Sequence, residues 1–205
     1  MRAVLRDGHT QGRVSLAEVV GPDTIAVGAL AGLAAEITID AGTAHLAEVV
    51  DPGSAEGLRV RAPEPGDEAT LLVLADVGDW TEHELPGVPD LAALELCVRS
   101  VAEAQGIDVT APFPFRVEGT ASALRLHVLN HSCPIANPSG PQPWTYSGTD
   151  EAAVLVGFHA ADSAGKLTHH GQQSHVHALL TARRVSGHLD EVGLLPAARL
   201  FLPSR

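Results

Sequence analysis

The stretch SHVHALLTARRVSGHLDE, residues 174–191, constrains this 205-residue chain more than any other, because its pattern reads as a β-hairpin that gathers histidines. Side chains two apart on a strand point to the same face, so His175, His177 and Leu179 share one side and Val176, Ala178 and Leu180 the other. The second side reads as core and the first as a cavity wall. A tight reversal at Ala182 and Arg183 sets His177 directly across from His188, with His175 as the diagonal neighbour. Cross-strand Cβ atoms are then roughly 4.5–5.5 Å apart, close enough for imidazole nitrogens to meet one metal ion at about 2.0–2.1 Å. An unperturbed pKa of about 6.5 leaves such histidines mostly neutral, and able to coordinate, at pH 7. Three protein ligands with an open fourth position are the minimum set for a catalytic zinc, although imidazole also suits iron, cobalt and nickel. The plainer reading, a solvated strand face, does not call for the third histidine across the hairpin. Cupins also place His-x-His on strands, but the glutamate they carry shortly after is absent, since Ala178 to Val185 holds no acid.

Charge narrows the partners. With 13 Lys and Arg against 25 Asp and Glu, the net charge of −12 argues against a nucleic-acid backbone or an anionic membrane surface. A small anionic substrate remains open. Residues 24–35 are uncharged and mostly apolar, but too short to span a bilayer and interrupted by Gly28 and Gly32, so no membrane segment is expected. The first twenty residues lack the continuous apolar run of a signal peptide. Cys97 and Cys133 fit no metal or redox spacing and read as reduced thiols in a cytoplasmic protein. Aromatic residues make up only 3%, so the core must be aliphatic.

Along the chain β signals dominate. Residues 36–40 and 44–50 read as strands joined by the Ala41–Gly42–Thr43 turn, and 57–62 and 69–75 are further strands. Leu91 to Gln105 has apolar residues recurring at three and four after Pro89 and Asp90 and is the clearest helix, ended by Gly106. Residues 113–119 and 122–129 read as strands around Glu118–Gly119–Thr120. Cys133 to Pro143 carries four prolines and reads as loop. Residues 151–158 are strand-like, 160–171 a loop, and the histidine hairpin follows.

These ordered blocks resemble the α-acetolactate decarboxylases, zinc enzymes that convert 2-acetolactate to acetoin and carbon dioxide. Three segments carry the likeness: VGALAGLAAEITIDAGTAHLAEVV (27–50), FRVEGTASALRLH (115–127), and LVGFHAAD (155–162) with SHVHALLTARRVSGHLDE. They parallel that family's Gly-Glu-Leu and Leu-Asp-Gly pattern, its Arg-Ile-Asp-Gly-Thr strand pair, and its Val-Gly-Phe, His-x-His and Gly-Gly-His-Val-Leu-Asp elements. Pattern and resemblance together predict an α+β, β-rich fold: residues 1–110 as a mixed sheet with one helix, then residues 111–205 as a β-barrel-like domain carrying the three-histidine site. The boundary is expected near 106–112. The resemblance also implies a homodimer.

Carried over residue by residue, the resemblance makes His175, His177 and His188 the zinc ligands and Glu36 the active-site carboxylate. Pattern supports Glu36 independently, because Glu36, Thr38 and Asp40 share one strand face and Ile37 and Ile39 the other. Where the family has a catalytic arginine, this chain has His127, with Arg125 two residues earlier on the same face. The family's threonine is Ala29 here, the Tyr and Phe around its His-x-His are Ser174 and Ala178, and the sequence ends at FLPSR, short of the tail that supplies a second glutamate. A rebuilt pocket is therefore expected: a zinc-dependent decarboxylase-like enzyme acting on a small β-keto acid or hydroxy-ketone, with 2-acetolactate itself as one alternative and a non-catalytic metal-binding protein as another. Among the other histidines, His131 and His159 are candidates for a supporting hydrogen bond or a fourth ligand. His169 and His170 read as exposed loop, and His9, His45 and His83 as surface.

Overall fold

Short runs of β-forming residues, punctuated by glycine, proline and aspartate, fold into two sheets packed on each other. The computed structural model describes residues 2–5, 7–134, 136–161, 163 and 172–204. The first sheet contains β1 (Val14–Ser15), β2 (Thr24–Leu30), β3 (Glu36–Asp40), β4 (Thr43–Val49), β5 (Leu58–Arg61) and β6 (Glu68–Asp76), in the spatial order β1-β6-β2-β3-β4-β5. All its pairings are antiparallel, so the expected mixture of strand directions is not found. The β3–β4 turn explains the local geometry: Asp40 pairs with Thr43, and Ala41 and Gly42 both have positive φ (44° and 74°), the two-residue turn whose twist suits a hairpin.

The second sheet contains β7 (Trp80–Leu85), β8 (Phe113–Val128), β9 (Trp144–Gly148), β10 (Glu151–His159), β11 (Ser174–Leu180), β12 (Val185–Leu194) and β13 (Ala198–Pro203). β10, β11, β12 and β8 pair in a ring and close a four-stranded barrel, as the barrel-like expectation required. β8 is one strand of 16 residues, where two strands about Glu118–Gly119–Thr120 were expected. The disturbance in the pattern is a bulge, not a turn: the pairing slips between Gly193 and Leu194 opposite Ala123 and Ala121. The buried residues accordingly change from Phe113, Phe115, Val117 and Ala121 to Leu124, Leu126 and Val128.

Of the helices α1 (Arg2–Leu5), α2 (Leu16–Val19) and α3 (Leu91–Gln105), the last occupies the expected residues. The Asp90 carboxylate accepts a hydrogen bond from Ala93 N at 2.8 Å at its start, and Gly106, at φ 79°, ends it. Leu91, Leu94, Val98 and Ala102 bury one face against the barrel core around Phe115, Leu155 and Val176. β7 and α3 thus belong with the second sheet, and the change from one sheet to the other falls between Asp76 and Trp80. The sheets meet where Ile25 and Val27 of β2 pack on Val156, Phe158 and Leu179 of the barrel. No helix among the described residues is long and apolar enough to cross a membrane.

Candidate metal centre and its cavity

The hairpin that presents the histidines is β11 and β12. Thr181–Arg183 form a single helical turn, Arg184 takes the left-handed conformation at φ 55°, and Leu180 pairs with Val185. That closure fixes His177 opposite His188, the register the alternation predicted. Ring centroids lie 5.1 Å apart for His175 and His177, 5.1 Å for His175 and His188, and 5.6 Å for His177 and His188. One nitrogen from each lies within 4.8 Å of the others, and all three side chains are buried. Nitrogens bound at 2.0–2.1 Å in a tetrahedron stand about 3.3 Å apart. Small side-chain rotations close the difference, so three imidazoles fit one divalent ion.

The ring of His177 is held from behind by the other sheet. Its Nδ1 is 3.0 Å from Thr38 Oγ1, which is itself 3.0 Å from Ser186 Oγ, and all three residues are fully buried. With Nδ1–H donating to Thr38 and the Thr38 hydroxyl donating to Ser186, Nε2 keeps its lone pair for a metal. Such outer contacts fix both the tautomer and the orientation of a ligating imidazole.

β3 therefore presents a polar face to the barrel. Asp40 binds Arg116 at 2.6 Å and 3.1 Å, Thr38 supports His177, and Glu36 completes the row. The Glu36 side chain is buried, with Oε1 accepting from Leu129 N at 3.3 Å and Oε2 lying 3.7 Å from His177 Nε2. Burial pushes its pKa up to about 7, against the opposing pull of His127 and the Leu129 amide. A carboxyl group poised near neutrality beside a histidine cluster that could hold a metal is suited to carry a proton.

His127 and Arg125, which the sequence left as equal candidates, occupy different surroundings. Arg125 pairs with Glu191 at 2.7 Å, and both side chains are about half exposed or more. His127 pairs with His188 across the β8–β12 ladder, at 4.9 Å between ring centroids, and its Nδ1 lies 2.8 Å from Asp190 Oδ1. Burial works against a charge on His127, but the Asp190 bond and the nearby Glu36 prevail and raise its pKa. Two local features bring this about. A Cβ on Gly187 would stand 2.6 Å from the His127 carbonyl oxygen, so only glycine lets β12 lie this close to β8. The ladder then jumps from Leu189–Leu126 to Glu191–Arg125, leaving Asp190 as the extra residue of a bulge beside His127.

Glu36, His127, His175, His188 and Asp190 line one cavity of about 330 Å³, with Arg125 also on its wall. Sequence reasoning missed Thr38, Ser186 and Asp190 as parts of the site. The alternation that placed Thr38 on the Glu36 face, and Asp190 on the His188 face, was the available signal. His159 is fully buried but pairs with Ser174 and Phe113, residues that alternate to the face opposite His175 and His177. It is no fourth ligand. His131 is exposed, with its backbone N–H bonded to Leu33 O, and His9 is also exposed. His45 is partly buried, which pulls its pKa down, and His83 bonds Gln105 at 3.1 Å. His169 and His170 lie outside the described residues. Both cysteines are free thiols, Cys133 being buried in the cavity wall.

No family model and no curated protein matches the sequence. Solved structures do match. The α-acetolactate decarboxylase of Bacillus subtilis strain 168 superimposes with a TM-score of 0.75 at 16% identity, over 100% of this chain and 83% of that one. The acetolactate decarboxylase of Bacillus subtilis subspecies spizizenii gives 0.76 at 15%, over 100% and 84%. A Staphylococcus aureus protein of unknown function, described as similar to α-acetolactate decarboxylase, gives 0.71 at 11%, over 95% and 79%. At these identities the likeness is one of architecture, and the chain has the fold of the α-acetolactate decarboxylases.

Proposed function

We propose that this chain is a metal-dependent lyase that releases carbon dioxide from a small anionic β-keto acid or hydroxy-keto acid, similar to acetolactate decarboxylase but with a differently built pocket. The position of Glu36 carries the proposal: a buried carboxyl with its pKa near 7 lies 3.7 Å from an imidazole of the histidine cluster. His175, His177 and His188 would hold one divalent ion, and zinc suits three neutral imidazoles. Such an ion supplies Lewis-acid stabilisation of the negative charge that develops on substrate oxygens.

The remaining work falls to side chains. Loss of carbon dioxide breaks a carbon–carbon bond and leaves its electron pair on the substrate, which must then take a proton at carbon. Glu36 is suited to deliver it, because burial raises its pKa above that of an ordinary carboxyl and so favours the protonated form closer to neutral pH. The Leu129 amide fixes Oε1, so Oε2 is the oxygen that carries the proton. His127, whose pKa Asp190 raises through Nδ1 against the effect of burial, has in its protonated form an Nε2–H to bind the substrate's anionic group. Arg125, tied to Glu191 at the rim, attracts that anion towards the mouth.

The test is carbon dioxide and acetoin release by the metal-loaded protein from racemic 2-acetolactate and from larger β-keto acids. Release from at least one substrate is expected, falling about 100-fold or more in Glu36→Gln with metal retained. Acetoin would make 2-acetolactate itself a substrate. No carbon dioxide from any of them, with metal bound, overturns the reading.

A further inference from the structure

The cavity has a second end that the chemistry above does not use. β2 lies between β3 and β6, and the ladders put Glu36, Ala29 and Leu71 in one row across the sheet, Ala29 opposite Glu36 and Leu71 opposite Ala29. Strands stand about 4.8 Å apart, so Leu71 lies roughly 10 Å along the row from Glu36, on the same face. All three residues line the cavity. Beyond Ala29 the wall is apolar: Leu5, Leu71, Leu129 and Cys133 belong to one cluster whose deeper members are Val4, Ala29 and Leu33. The three leucines are only partly buried, and the cavity is where they are lined up and uncovered. A volume of about 330 Å³ exceeds what a compact five-carbon acid fills, and falls within the range of roughly 300–1,000 Å³ seen for pockets that enclose larger ligands.

We infer that the substrate of this site carries an unbranched apolar tail of about four to six carbons, the length left in the roughly 10 Å of two strand spacings once the anionic head has filled the end next to Glu36. The tail lies along Ala29 and Leu71, behind the anionic head that faces Glu36 and His127. This rests on the lyase reading and specifies its substrate class.

Binding tests it without turnover. Calorimetry on the zinc-loaded protein would measure Kd for 2-hydroxy-2-methyl acids as the chain grows from propanoate to octanoate. Kd should fall about fourfold per added methylene and level off once the tail reaches Leu71 and its neighbours. Leu71→Asn should remove at least tenfold of that gain for the six-carbon tail, and Leu5→Ser, on a separate element, should act in the same direction should the first variant fail to fold. A Kd independent of chain length, or weaker binding of longer acids, overturns the apolar-tail inference and leaves the lyase reading standing. Failure of every acid to bind while zinc stays in place overturns the lyase reading itself.

Discussion

Replacing Glu36 by Gln should stabilise the metal-free protein, and only at neutral to alkaline pH. Folding raises the pKa of this carboxyl from its ordinary 4.5 to about 7, chiefly by burial. At about 1.36 kcal/mol per tenfold change in proton affinity, keeping the charged form in the folded chain costs on the order of 3 kcal/mol. The sign follows from linkage: the folded state binds this proton more tightly than the unfolded chain, so the group's contribution is fully present below about pH 4.5 and lost as pH rises through about 7. Glutamine has nearly the same shape, keeps an oxygen for the Leu129 amide, and cannot ionise. The variant's advantage should therefore be under about 1 kcal/mol at pH 5 and approach about 3 kcal/mol at pH 8.5. For a chain of this length that is a difference in Tm of roughly 6–12 °C at the alkaline end. Calorimetric unfolding of chelator-treated wild type and variant across this range measures it. A difference that does not vary with pH, or a variant less stable than wild type at pH 8.5, would refute the assignment of Glu36 as a buried proton carrier.

Thr38→Val removes the oxygen behind His177 and should weaken zinc binding about 10- to 100-fold, read by competition with a chromogenic chelator. Asp190→Asn takes from His127 the bond that holds its pKa up, so the alkaline limb of the pH profile of carbon dioxide release should move to lower pH, with kcat/KM down at least about tenfold. A limb that stays in place would show that another group sets it. Gly157→Ala would put a Cβ 2.4 Å from the Phe115 ring inside the barrel; overpacking should cost roughly 1–3 kcal/mol in urea unfolding, whereas no loss would mean that the ring has room to move.

What the sequence revealed, and what it concealed, divides along physical lines. α3 was legible because it buries one face only, so periodicity shows; β11 is buried on both faces, and the 174–191 hairpin was legible because its histidines alternate with apolar residues. β2 was not read as a strand because all seven of its residues are buried, leaving an apolar run with no alternation. β7, β9 and β13 were missed as well; the first and last reach each other across more than a hundred residues, a pairing no local pattern records. Within the site, the three histidines and Glu36 were visible from strand alternation and resemblance. The contact of Thr38 with His177 spans 139 residues and depends on how one sheet stacks on the other. The choice between Arg125 and His127 was equally hidden, because both lie on one face of β8 and are separated only by a bulge that turns Asp190 towards His127 and leaves Arg125 to Glu191.

Metal content speaks most directly to the proposed chemistry. Elemental analysis of the purified protein and of His177→Ala, at equal concentration after removal of loosely bound ions, should give close to one zinc or other divalent transition ion per wild-type chain and almost none in the variant. A wild-type protein without such an ion, or a variant that retains it in full, would contradict a metal centre built on His175, His177 and His188.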